Sequence, residues 1–221
     1  MSVTTDWPVA EFGVGLREAV AGRSPSAMLE HDDGLLTPMN FLRWCAQPDD
    51  ADLSVIRRVR GTTLDIGCGP GRLTVALAAA RVPTLGIDVA RAAIDITRAA
   101  GGFALHRSIF SPIPGEGTWR TVLLVDGNIG IGGDPVRLLH RVANLLCSGG
   151  RALVELEPPG TNLHLGSARI RAEHQHDSGW FGWARVPVGS IGALGGLAGL
   201  RLSECWSVHQ RWFAALDRTA R

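Results

Sequence analysis

The chain has no lysine and no tyrosine: all 22 basic residues are arginine, set against 21 acidic ones for a formal net charge of +1. Two familiar proton acceptors are therefore missing. The arginines form no basic run, so the electrostatic footprint of a nucleic-acid binder is absent and a small or neutral partner fits better. Beside seven tryptophans, the missing Lys and Tyr read as coding bias. Cys45, Cys68, Cys147 and Cys205 are widely separated with no CxxC pair. That argues against a zinc site, or any other metal site, and against a disulfide framework. They read as reduced, buried thiols. No apolar run reaches membrane-span length, and Met1 to Gly15 lacks the charged start and apolar core of a signal peptide. The expectation is a cytoplasmic protein that engages no membrane, built as one α/β unit of 221 residues.

What the chain does have is one stretch around which the rest is organised, Leu64 to Arg72, reading LDIGCGPGR. Residues 62–66 have the branched, apolar character of a buried strand, and Arg72 to Ala80 reads as a helix. Between them Gly67, Gly69 and Gly71 make a turn of bare backbone, which can approach a ligand closely in front of a positive helix terminus. A dinucleotide fingerprint needs GxGxxG. Here the third glycine comes one residue early, and Arg72 stands where that pattern requires glycine.

The GxGxG spacing preceded by Asp65 resembles the first motif of class I S-adenosylmethionine-dependent methyltransferases. In that family an acidic residue and a glycine loop hold the methionine portion of the cofactor. A second short strand, Thr84 to Asp88, ends in a carboxylate 21 residues after Gly67. Two carboxylate oxygens match the two hydroxyls of a ribose diol. The resemblance implies S-adenosylmethionine as cofactor, S-adenosylhomocysteine as product and a small-molecule acceptor. It assigns cofactor contacts to Asp65, Gly67, Cys68, Gly69, Gly71, Arg72, Asp88 and Val89. Ser108 falls where the family commonly carries an aspartate for the adenine amino group, with the Ile109 amide beside it for the ring nitrogen.

Strands then alternate with helices: Phe103 to Arg107, Arg120 to Asp126 and Arg151 to Glu157 read as further strands, with Gly149-Gly150 closing the helix before the last of them. That alternation argues a parallel sheet with helices on both faces. Two more strands, Arg201 to Val208 and Arg211 to Leu216, complete the family's seven. The expected fold is thus a Rossmann-like, doubly wound, mostly parallel seven-stranded sheet. An N-terminal helical cap (1–60) precedes a cofactor-binding core (61–221), with a β-hairpin insertion at about 161–187. Within the cap, residues 1–33 read as a surface wrap. Thr37 and Pro38 read as the start of a helix, and Asp49 to Arg60 as a second one with Leu53, Ile56 and Val59 on its buried side.

Asp126 and Asn128, in a second glycine-rich turn after the fourth strand of the core, are the first candidates for catalytic contacts, and Asp126 also for the cofactor. The alternative is that Asp126 caps its own turn. His164 is a candidate general base, just past the fifth strand. His174 and His176 share one side of a strand and could bind metal or move protons, or simply be exposed. Arg72 faces the cofactor carboxylate or is a surface cation; Phe41, Arg43 and Trp44 wall the acceptor pocket or belong to the core. Beside the methyltransferase stand two other readings, a cofactor-binding scaffold without turnover and a dinucleotide-dependent oxidoreductase.

Overall fold

The computed structural model describes residues 8–172 and 177–219. Its larger sheet has seven strands: β3 (Thr63–Ile66), β4 (Thr84–Asp88), β5 (Ala104–His106), β6 (Trp119–Leu124), β7 (Leu146–Leu156), β10 (Leu200–Val208) and β11 (Arg211–Arg218). The order is β10-β11-β7-β6-β3-β4-β5, parallel except where β11 runs antiparallel to both its neighbours. This is the expected doubly wound sheet, and β3 is where strand order reverses.

Period-two alternation splits the core between the faces. On β6, Val122 and Leu124 join one cluster with α6 (Pro135–Leu145) and α7 (Ile191–Leu197). Leu123 joins the other, with α3 (Asp50–Ile56), α4 (Arg72–Ala79) and Phe213. Gly149-Gly150 does not end a helix as expected: α6 stops at Leu145 and β7 already starts at Leu146, carrying both glycines within the strand.

The amino-terminal third departs most from expectation. Residues 9–20 form α1 (Val9–Val20), which buries Phe12, Leu16 and Ala19 at helical spacing. Thr37 and Pro38 do not open a helix; they lie in β2 (Leu36–Pro38), paired with β1 (Ala27–His31) across the turn at Asp33-Gly34. The short α2 (Phe41–Trp44) follows Asn40. In α3, Ala51 and Val55 are buried while Leu53 is 39% exposed, so the buried face lies to one side of the expected one. The cap is therefore part helix and part sheet.

The hairpin expected after the fifth core strand is β8 (His164–Ala172) with β9 (Phe181–Arg185), antiparallel. It does not stand alone. β1 pairs with β8 along its whole length, giving a second sheet of order β2-β1-β8-β9. Phe12, Phe41, Trp44, Phe181 and Trp183 pack between this sheet, α1 and α5 (Arg91–Ala99). All four cysteines are free, but only Cys68 is buried and Cys205 is exposed, so the expectation of buried thiols holds for one of them. No helix among the described residues is long and apolar enough to cross a membrane.

The second glycine-rich turn seats the small sheet on the large one. Ile131 bridges to Trp183, and a Cβ on Gly130 would lie 2.2 Å from the Ala184 carbonyl oxygen. Backbone cannot yield there as a flexible side chain would. Gly130→Ala is expected to cost about 1–3 kcal/mol from overpacking, read as a lower urea midpoint with an unchanged m-value.

Candidate functional site

A cavity of about 970 Å³ opens outside the carboxyl ends of β3, β4 and β6 and is roofed by the small sheet. Ligands of open α/β sheets bind at this place. The glycine loop forms its floor. Gly67, Gly69 and Gly71 have φ of +66°, +55° and +92°, the left-handed region that excludes most side chains. Around Gly69 a Cβ would meet nothing within 4 Å, whereas at Gly67 it would strike Asn128 and at Gly71 Thr97. So Gly69 presents bare backbone to the cavity, and the two outer glycines let neighbouring elements close on the loop. Thr97 on α5 donates to the Gly69 carbonyl at 2.9 Å and holds it there.

Asp88 is buried at the cavity wall, accepting hydrogen bonds from the Gly69 and Ala90 amides at 3.0 and 2.8 Å. Burial raises its pKa, with those amides working the other way. Each oxygen keeps a lone pair for a ligand hydroxyl. Val89 lines the same wall, its carbonyl receiving the His106 Nε2–H at 2.7 Å. Ser108 and Ile109 also border the cavity, with the Ser108 hydroxyl accepting from the Phe110 amide at 3.3 Å. Cys68 is buried beside Gly86, and burial pushes its thiol well up.

The expected catalytic group does not converge on one point. Asp126, held at φ +58°, is neither a free base nor a cap on its own turn. Its oxygens receive Arg43 at 2.8 Å and Arg72 at 2.7 Å, with Arg211 at 3.5 Å. Asn128 spends its amide on the Ile66 and Gly67 carbonyls at 2.8 and 3.0 Å, tying the two loops together. His164 stays outside the cavity lining, its Nε2 2.6 Å from Asp32 Oδ1 at the start of β8. His174 and His176 lie outside the described residues.

Arg72 is not a surface cation. It is buried between Asp126 and Asp52, with Nη2 donating to Asp52 Oδ1 at 3.1 Å and Nε 2.9 Å from Oδ2. Asp52 also receives Arg43 at 3.3 Å and Arg211 at 2.9 Å. Arg211 completes the cluster by gripping Glu155 through two nitrogens at 2.7 and 2.8 Å. Burial opposes the Arg211 charge, but Glu155 and then Asp126 more than offset it and hold its pKa above the usual range. Of the proposed pocket wall, Arg43 and Trp44 line the cavity, while Phe41 is core, 5.2 Å from Trp44 between ring centroids.

Among the cavity groups that sequence reasoning missed are Glu155, Arg211, His31, Arg185 and Glu157. Glu157 is half-buried, its carboxylate has no hydrogen bond or ion pair among the described residues, and its pKa is raised by burial against the pull of Arg185. The only signal in the sequence was its place at the end of a core strand.

Asp65 sits beneath the loop, accepting from Thr74 at 2.7 Å, and burial pushes its carboxyl up to about 6 from 3.8. Between those values the folded state binds more protons than the unfolded one, so this group makes stability fall as pH rises. The shift corresponds to about 3 kcal/mol. Urea titrations at pH 4 and pH 7 are expected to show Asp65→Asn gaining up to that amount relative to the parent protein over the interval.

No protein-family model matches the sequence, and no curated protein matches it. Solved structures do. A methyltransferase from Bacteroides fragilis in complex with S-adenosyl-L-homocysteine superposes with a TM-score of 0.76 at 16% identity, covering 95% of this chain and 94% of that one. A sugar N-methyltransferase from a Streptoalloteichus species gives 0.62 at 16% identity over 81% and 92% of the two chains. The 1,6-didemethyltoxoflavin-N1-methyltransferase of Burkholderia thailandensis, with 1,6-didemethyltoxoflavin and S-adenosylhomocysteine bound, gives 0.57 at 14% over 100% and 94%. The chain has the Rossmann-like fold of S-adenosylmethionine-dependent methyltransferases.

Proposed function

We propose that the protein is a methyltransferase that uses S-adenosylmethionine, acts on a small-molecule acceptor and releases S-adenosylhomocysteine. The observation that carries this reading is the pairing of bare backbone at Gly69 with the Asp88 carboxylate, hydrogen-bonded to each other on the wall of one cavity. The cavity is of the size that holds a cofactor and a small acceptor together. Asp88 would receive the ribose hydroxyls, Val89, Ser108 and Ile109 would border the adenine, and Gly67 to Gly71 would pass beneath the methionine portion. Arg43, 30% exposed in its side chain, and Arg72 are cations that border the same cavity.

When bound, the cofactor supplies a methyl group made electrophilic by a sulfonium. Displacement then depends chiefly on holding the nucleophile close and in line. An oxygen or nitrogen acceptor must also lose a proton, and Asp126 cannot accept it without breaking its ion pairs. Among the described residues Glu157 is the cavity carboxylate whose oxygens have no partner, and its raised pKa suits the task. The acceptor's O–H or N–H bond breaks, and the proton passes to Glu157 and on to solvent.

Calorimetry should show binding of S-adenosylhomocysteine, weakened about 10- to 100-fold in Asp88→Ala, the range expected for lost hydrogen bonds to a charged group. No binding by the parent protein would overturn the reading. With a turned-over acceptor, Glu157→Gln is expected to lower kcat by about 100-fold or more and to leave S-adenosylhomocysteine affinity unchanged. Tight binding with no product release across a metabolite panel would favour a scaffold without turnover.

A further inference from the structure

The inner face of the small sheet makes the cavity wall opposite the glycine loop. Alternation along β1 turns Leu29 and His31 inward, and along β9 it turns Phe181, Trp183 and Arg185 inward; all five border the cavity. Phe181 and Trp183 meet edge to face, with centroids 6.2 Å apart. In this largely aromatic wall two polar atoms are shut off from solvent and have no hydrogen-bond partner among the described residues, His31 Nδ1 and Arg185 Nε. Buried polar atoms are rarely left so, and each costs about 1–3 kcal/mol until something pairs with it.

The hydrogen bonds around His31 decide what its free nitrogen can do. The Thr37 hydroxyl donates to the Leu29 carbonyl at 3.4 Å, so its oxygen is open to the His31 Nε2–H at 3.2 Å. On this network we assign the ring proton to Nε2, which leaves Nδ1 a lone pair to offer. Burial, then the nearby Arg185 guanidinium, brings His31 down to about 4, so the ring is neutral in ordinary buffers; Asp33, His164 and Asp32 are the other charged or titratable groups around it. Arg185 pairs with Asp33 through Nη2, which leaves its Nε–H as a donor.

We propose that this wall is the acceptor subsite, and that it takes a small, planar, uncharged molecule whose hydroxyl or ring N–H donates to His31 Nδ1 while an oxygen receives the Arg185 Nε–H. The rings of Trp44, Phe181 and Trp183 supply flat apolar surface for such a molecule. The lack of charge follows from the wall itself: Arg185 is already paired with Asp33 and His31 is neutral, so the wall offers an ionic ligand no uncompensated charge to pair with. His31 acts here in recognition, as an acceptor of a hydrogen bond. What becomes of the ligand rests on the methyltransferase reading, but its recognition does not.

Calorimetry with two probes separates the cases, 2,3-dihydroxynaphthalene, which carries both donors and oxygens, and 2,3-dimethoxynaphthalene, which has no donor. The parent protein is expected to bind the diol at least tenfold more tightly than the diether. In His31→Leu the two should bind within about twofold of each other. His31→Asn, which keeps an acceptor oxygen, should retain part of the preference. Unchanged affinity for S-adenosylhomocysteine serves as the check that His31→Leu is folded. Equal binding of both probes by the parent protein, binding of neither, or a preference that survives His31→Leu would overturn the proposal. Each titration is run with and without S-adenosylhomocysteine, so failure of that ligand to bind would remove the methyltransferase reading while the probe comparison still reports on the subsite.

Discussion

Asp52 has no exposed surface, and three guanidiniums, those of Arg43, Arg72 and Arg211, converge on it. A buried carboxylate stripped of its partners is strongly destabilising, so the four residues hold or fail together. They come from four different elements: α3, α2, the first position of α4, and the start of β11. The cap, the glycine loop and the antiparallel edge of the sheet are thus fixed to one another by a single charge cluster. Arginine suits such a cluster because its planar fork reaches two carboxylates at once, as Arg72 and Arg211 do.

The same cluster explains why Asp126 is not a free carboxylate in the cavity. Asp126 is the outer carboxylate of the network, held by guanidiniums and carried on a strained backbone at φ +58°. Asn128 is a strut between two loops. With the Asp126 side of the floor committed to structure, further polar groups with open hydrogen-bonding capacity lie higher, at the end of β7 and on the roof. Glu157 and His31 are such groups, and the pocket's electrostatics divide accordingly into a fixed base and a receptive wall.

The roof is built from chain segments far apart in sequence. β1 lies before the core and β8 after its fifth strand, yet they pair over five residues. Asp32 locks the junction by accepting from the Ser167 amide and hydroxyl at 2.7 and 2.9 Å and by contacting His164. This gives His164 a role in the junction, outside the cavity lining. It also explains the glycine-rich turn after β6, whose close approach to β9 lets the roof sit directly on the core.

Much of the core was legible because local rules suffice there. A branched strand, a bare turn and a helix follow one another within Thr62 to Ala80, and a carboxylate closes the next strand; each is dictated by neighbours in the chain. The five parallel strands followed from the alternation of strands with helices, and the closing antiparallel pair from the resemblance to the family. Pairing of β1 with β8, burial of Asp52 and the ion pairs of Arg72 depend on residues brought together only when the chain closes, and no local pattern encodes such distant partners. So it is with the site: Gly69 and Asp88 announce themselves by spacing, whereas His31 and Glu157 stand out only because the folded chain leaves the His31 Nδ1 and the Glu157 carboxylate without partners among the described residues, beside a cavity.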